Sequence, residues 1–156
     1  MSEQQRTSAA RIVVGVDGSE PSKAALRWAA RQAALTGGVV EAVTSWQYPQ
    51  WYGASPMVAD FDFADNARSI LTQAIDEALG PDRPAGIRPR VVCGHPAGVL
   101  LDAARGAELL VVGSRGRGGF AGALLGSVSQ HLVQHAACPV VVIRGSADAP
   151  TPASAA

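Results

Sequence analysis

The residues best equipped for chemistry lie between Glu108 and Arg144. There Leu109-Leu110-Val111-Val112 runs into Gly113-Ser114-Arg115-Gly116-Arg117-Gly118-Gly119, and, after Phe120 to Leu125, Gly126-Ser127-Val128-Ser129 follows. A buried strand, a glycine loop and a serine-bearing helix start, in that order, assemble an anion site. Glycines at 113, 116, 118 and 119 let consecutive amides approach a ligand with no Cβ in the way, and phosphate is the natural guest. Arg115 and Arg117 add positive charge. Ser127 and Ser129 stand where their hydroxyls can cap free amides or donate to a phosphate drawn by the helix dipole. A glycine-rich turn without a ligand has the same composition, so spacing has to decide.

Two familiar phosphate loops do not fit that spacing. A Walker A loop needs Gly-x4-Gly-Lys-Ser/Thr, and the only lysine, Lys23, lies far away. The dinucleotide pattern G-x-G-x-x-G, started at Gly116 and Gly118, meets Ala121 at its third glycine and follows a late strand instead of the first.

Asp17 is the second candidate. At the carboxyl end of a strand and followed by Gly18-Ser19, it can hold Mg2+ near bound phosphates or contact a ribose; the alternative is an Asx-turn that caps the next helix. His131 and His135 are four apart on an expected helix, a separation at which both can bind a metal. Residue 132 is Leu, not the Glu of H-E-x-x-H, and no third ligand is evident, so the pair reads as solvated or capping. His95, before Pro96, reads as a turn residue. Cys93 and Cys138 have no metal or redox spacing and read as buried free thiols, with a disulfide as the alternative. The serines lack a G-x-S-x-G elbow, and no Ser/His/Asp triad is apparent.

The elements that must position these groups alternate. Ile12 to Val16, Val39 to Trp46, Ile87 to Cys93, Leu109 to Val112 and Val140 to Ile143 read as strands, the third weakened by Pro89 and placed near an edge. Helical patterns span Pro21 to Leu35 (N-cap Ser19, stop Gly37-Gly38), Asp60 to Leu79, Pro96 to Arg105 and Gly126 to Ala137. Gln47 to Val58 breaks the rhythm with Tyr48, Trp51 and Tyr52. These aromatics and Trp46 are read as cover for the sheet edge or a partner, with stacking on a base as the alternative. Strand and helix in turn imply a three-layer α/β/α domain around a parallel sheet, whose ligand crevice lies beyond the carboxyl ends of the strands. Strands one and four, ending at Asp17 and Gly113, would flank it.

Composition bounds the function. The 156 residues suit one domain at 11–145, with disordered tails at 1–10 and 146–156, and 47% hydrophobic against 17% charged residues is a globular balance. Zero net charge offers no footprint for nucleic acid or an anionic membrane. With no apolar leader and no membrane-length run, a cytoplasmic protein is expected.

The spacing Gly113-x2-Gly116-x9-Gly126-Ser127 is similar to the nucleotide-binding signature of the ATP-binding branch of the universal stress protein family. Ile12-Val13-Val14-Gly15-Val16-Asp17-Gly18-Ser19 resembles that family's first strand and turn, and Cys138-Pro139-Val140-Val141-Val142-Ile143 its last strand. The resemblance covers most of residues 11–144. It implies a Rossmann-like, adenine nucleotide α-hydrolase-like fold with five parallel strands in the order 3-2-1-4-5. It also implies Gly15 and Asp17 at the nucleotide, main-chain reading of adenine at Val43, and a homodimer through the last strand.

The resulting expectation is a regulatory protein that holds ATP with Mg2+. Gly113, Ser114, Arg115, Gly116, Arg117, Gly118 and Gly119 would take the phosphates; Gly126, Ser127, Val128 and Ser129 would assist at the helix start; Asp17 would serve the metal or ribose. ATP would act by ordering the loop and shifting conformational populations. The alternatives are a slow ATPase or autophosphorylating enzyme in the same pocket, where Gln130 is the one conceivable water-orienting residue, and an interaction module with a vestigial loop.

Overall fold

The structure, a computed structural model, describes residues 9–48, 62–81, 83–84, 86–116 and 125–144. Along them run β1 (Arg11–Gly15), α1 (Glu20–Thr36), β2 (Val39–Trp46), α2 (Phe63–Leu79), β3 (Ile87–Cys93), α3 (Pro96–Ala103), β4 (Leu109–Gly113), α4 (Ser127–His135) and β5 (Val140–Ile143). All strand pairs are parallel, in the order β3-β2-β1-β4-β5. This is the arrangement the family resemblance implies.

The two-residue period of a strand sorts the core into two layers. Ile12, Val14 and Val16 point to one face and pack with Ala25, Leu26 and Ala29 of α1 and Leu71 and Ile75 of α2. Val13, Leu110 and Val112 point to the other, against Val99 and Leu100 of α3 and Leu132 of α4. Leu26, Leu71, Leu110 and Leu132 are fully buried, each contributing about 1.5–3 kcal/mol of apolar burial.

Local chemistry fixes the helix ends. Ser19 caps α1 by accepting the Ser22 N–H, and Gly37, at φ 73°, ends it in the left-handed conformation. The Asp62 carboxylate accepts the Asp65 N–H at 2.9 Å and starts α2; residues 60 and 61 of the expected helix lie outside the described residues. His95 Nδ1 accepts the Ala97 N–H at 3.3 Å, so this turn histidine caps α3. Helix α4 stops at His135, before the expected Ala137, because Ala136 takes extended backbone. Lys23 bridges Glu20 and Glu77 at 2.8 and 2.6 Å and ties α1 to α2.

The two sheet edges differ. On β3, the expected edge strand, Arg88, Pro89 and Arg90 are exposed, features that discourage pairing. On β5 all four residues are apolar and partly exposed. The edge position also corrects one expectation: Cys93, read as a buried thiol, is exposed, being the last residue of a strand with a neighbour on one side only. Cys138 is partly buried, and burial pushes its thiol pKa up.

Candidate functional site

The chain turns from β1 toward β2 on one side and from β4 toward β5 on the other, so the strand order reverses between β1 and β4. A crevice opens at such a point above the strand ends, and a cavity of about 450 Å³ lies there. Register sets its floor, with Gly15 opposite Val43 and Val14 opposite Val111. On the β4 side the walls are polar: Arg115, Gly116, Ser127 and Ser129 face Asp17 and Ser19. On the β2 side they are apolar: Val43, Trp46, Phe63 and Ile70.

Each described residue singled out in the sequence has a definite place. Asp17 divides its carboxylate: Oδ1 accepts the Ser19 N–H at 2.9 Å and the Ser19 hydroxyl, while Oδ2 lies against Gly116. The Asx-turn and the crevice-facing position therefore coexist. A Cβ on Gly15 would meet Leu100 Cδ1 at 2.7 Å, so this glycine keeps the floor open. Gly113 is glycine for packing, since a Cβ there would stand 2.6 Å from Pro21 Cβ and 2.8 Å from the Pro21 carbonyl carbon. The start of α1 presses directly on the end of β4.

The serines and amides separate in the same way. Ser114 is buried and does not line the cavity. Its N–H donates to the Ile143 carbonyl at 2.8 Å and its carbonyl accepts the Gly126 N–H at 2.7 Å, so both amides are spent within the protein. Ser129 is also buried, and its hydroxyl donates to the Gly113 carbonyl at 2.7 Å, fastening α4 to β4. Ser127 is exposed at the rim. Among the described residues no side chain caps α4, and Ser127, Val128 and Ser129 of its first turn, whose amides have no intrahelical acceptor, line the crevice at the positive end of the helix dipole. Val43 lines the crevice; its carbonyl accepts the Val16 N–H at 2.8 Å, leaving one lone pair. Arg117, Gly118 and Gly119 lie outside the described residues, as do Trp51 and Tyr52.

The sequence reading missed a whole wall. Phe63, Asn66, Ala67 and Ile70 of α2 line the cavity, a stripe at three- and four-residue spacing whose polar member, Asn66, is the signal that could have found it. Tyr48 joins the β2 end to this wall, edge-on to Trp46 at 5.1 Å and to Phe63 at 5.4 Å between ring centroids. Thr44 is buried, its hydroxyl donating to the Val16 carbonyl at 2.8 Å and fixing the turn above β1.

Chemically, the arrangement offers an anion-binding side, one carboxylate and an apolar slot. Asp17 also fits a magnesium ion that keeps its waters and shares phosphate oxygens, because such an ion needs only one or two carboxylates. Among the described residues no group of three or more His, Cys, Asp or Glu is placed to hold a metal by itself.

Comparison with known proteins agrees with this geometry. The model of the universal stress protein family matches residues 9–144. A universal stress protein of Mycobacterium tuberculosis is 39% identical over 145 residues, covering 85% of this chain and 47% of the relative. One from Mycolicibacterium smegmatis is 36% identical over 146 residues, covering 86% and 48%. The chain thus spans about half the length of the curated relatives it matches. Among solved structures, UspA from Lactobacillus plantarum superposes with a TM-score of 0.72 at 23% identity, covering 88% of this chain and 99% of that one. A universal stress protein in complex with cAMP superposes with a TM-score of 0.66 at 30% identity, covering 88% and 98%.

Proposed function

Since the chain belongs to the universal stress protein family, we propose that it is a regulatory protein holding an adenine nucleotide, ATP with Mg2+, in the crevice between β1 and β4. The observation that carries this reading is the division of one cavity into a cationic, amide-bearing side and an apolar side. Phosphates would meet Arg115, the Gly116 backbone and the uncapped first turn of α4, where the helix dipole favours anions. The base would lie against Val43 and Ile70. Asp17 would serve the ribose or hold the metal, which when bound neutralises phosphate charge. Occupation would shift the conformational balance.

A second reading is favoured by one observation. The amides of Ser114 and Gly126 are already bonded to protein carbonyls, which leaves donors for fewer phosphate oxygens, and the relative solved with cAMP is 30% identical. Cyclic AMP is therefore the competing ligand. Equilibrium dialysis of the full chain against each nucleotide tests both readings. Saturable binding of ATP that cyclic AMP displaces only weakly supports the first, the reverse order supports the second, and no saturable binding of either removes both.

We assign a homodimer to this reading, paired through β5. Its open edge is apolar, whereas the β3 edge carries Pro89 between two arginines. A cytoplasmic location is part of the same proposal; among the described residues no helix is long and apolar enough to cross a membrane.

A further inference from the structure

Outside the crevice, one pair of metal-ligating side chains lies close together and has no assigned task. His131 and His135 lie one turn apart on the same side of α4, both exposed, with ring centroids 4.5 Å apart and planes inclined by 44°. Among the described residues neither imidazole has a hydrogen-bond or ion-pair partner, so the ring-nitrogen lone pairs are uncommitted. Spacing alone reads this as a solvated or capping pair. The structure adds that the two rings already share a face and are not engaged elsewhere.

From this geometry we propose that His131 and His135 form a two-histidine chelate for a borderline divalent transition-metal ion of the zinc, nickel or copper class, separate from the nucleotide crevice. Imidazole nitrogen selects these metals over magnesium and calcium, which take oxygen ligands. With two protein ligands the remaining positions belong to water, so the site is labile and exchangeable, not a closed structural centre. The second imidazole binds intramolecularly once the first is engaged, and this raises affinity above that of a single surface histidine.

The location gives the chelate a consequence. Helix α4 has only nine residues and, among the described residues, no side-chain cap at its start, and helices this short depend on outside support. A metal bridging His131 and His135 cross-links its last two turns, and the cation sits near the negative end of the helix dipole. Binding to the folded chain alone then raises its stability by mass action.

The test is calorimetric titration of the full chain with Zn2+ on a Cys93→Ser background, which removes the exposed thiol as a competing ligand. One ion per chain is expected. Affinity should fall about tenfold or more in both His131→Ala and His135→Ala, and the thermal midpoint should rise with Zn2+ in the parent but not in either variant. A third variant, Val133→His with His135→Ala, keeps two histidines but places them at i and i+2, on different faces of the helix. It should bind as weakly as the single-histidine variants. Zinc binding in any of these variants at the parent affinity, or no zinc binding in the parent, overturns the proposal; circular dichroism confirms that each variant is folded.

Discussion

The Asp17 carboxylate occupies the space that a β-carbon on Gly116 would need. Two residues 99 positions apart, one ending the turn after β1 and one in the loop after β4, are thus in direct contact across the mouth of the crevice. The glycine is required by the acid opposite it. Gly116→Ala should push the carboxylate aside and lower nucleotide affinity about tenfold or more, equivalent to about 1.4 kcal/mol. Stability should change little, because the colliding atom is the end of a side chain that can move. Dialysis and urea unfolding of the same sample check both halves.

Gly113→Ala should do the opposite. Its added methyl meets the Pro21 carbonyl carbon at 2.8 Å and Pro21 Cβ at 2.6 Å, where α1 presses on β4. Overpacking of this kind costs about 1–3 kcal/mol, read as a lower urea midpoint. Gly126→Ala adds a methyl whose nearest neighbour is 3.5 Å away, at an ordinary φ of −71°, and should stay within about 1 kcal/mol of the parent. Three glycines of one motif are therefore separable by experiment.

Ser129→Ala removes a buried hydroxyl that holds the Gly113 carbonyl at 2.7 Å. A loss of about 1–2 kcal/mol in stability is expected. Ser127→Ala, at the exposed rim, should leave stability within about 0.5 kcal/mol.

How far the sequence alone reached can be judged on these residues. The strand and helix order, the Ser19 cap and the Gly37 stop follow from local chemistry and were legible, and β5 was placed at its observed bounds. The α2 wall was not. After the aperiodic stretch following Trp46 nothing in the chain sets which side of α2 turns toward the crevice, so Phe63, Asn66 and Ile70 could be located only in three dimensions. Nor does a motif distinguish its reasons: Gly113 opens the glycine signature and Ser129 stands two residues past its end, yet one makes room for Pro21 and the other bonds the backbone of β4. Cys93 was misjudged because an apolar run does not reveal that its last residue ends an edge strand.

The Lys23 bridge sets a pH dependence. Hydrogen bonds to Glu20 and then Glu77 raise the Lys23 pKa, and the hydrogen bonds from Lys23 and Gln73 lower that of Glu77. A raised lysine pKa contributes stability that is full below its unfolded value and lost as pH rises through the folded one. A lowered carboxylate pKa contributes stability present above its unfolded value and lost as pH falls through the folded one. The bridge is therefore intact between roughly pH 5 and 10. Lys23→Met should lower the urea midpoint slightly in that window, and the difference from the parent should close toward pH 3. Exposure and salt screening keep the effect small.

Val141→Glu, placing a charge on a partly exposed residue of β5 that also packs on the core layer beneath α1, should convert the proposed dimer to monomer in light scattering at micromolar concentration, with circular dichroism showing that the variant is folded. A parent that is already monomeric would exclude pairing through β5.

The central claim, that free amides at the start of α4 and at Gly116 receive the phosphates, is tested most directly by following backbone amide resonances while ATP and Mg2+ are added to the full chain. The account predicts large, saturable shifts at Gly116, Ser127 and Val128, with Ser114 and Gly126, whose N–H groups are already bonded to protein carbonyls, moving much less. Saturation with the Gly116, Ser127 and Val128 resonances unmoved, and the shifts gathered elsewhere on the molecule, would contradict it.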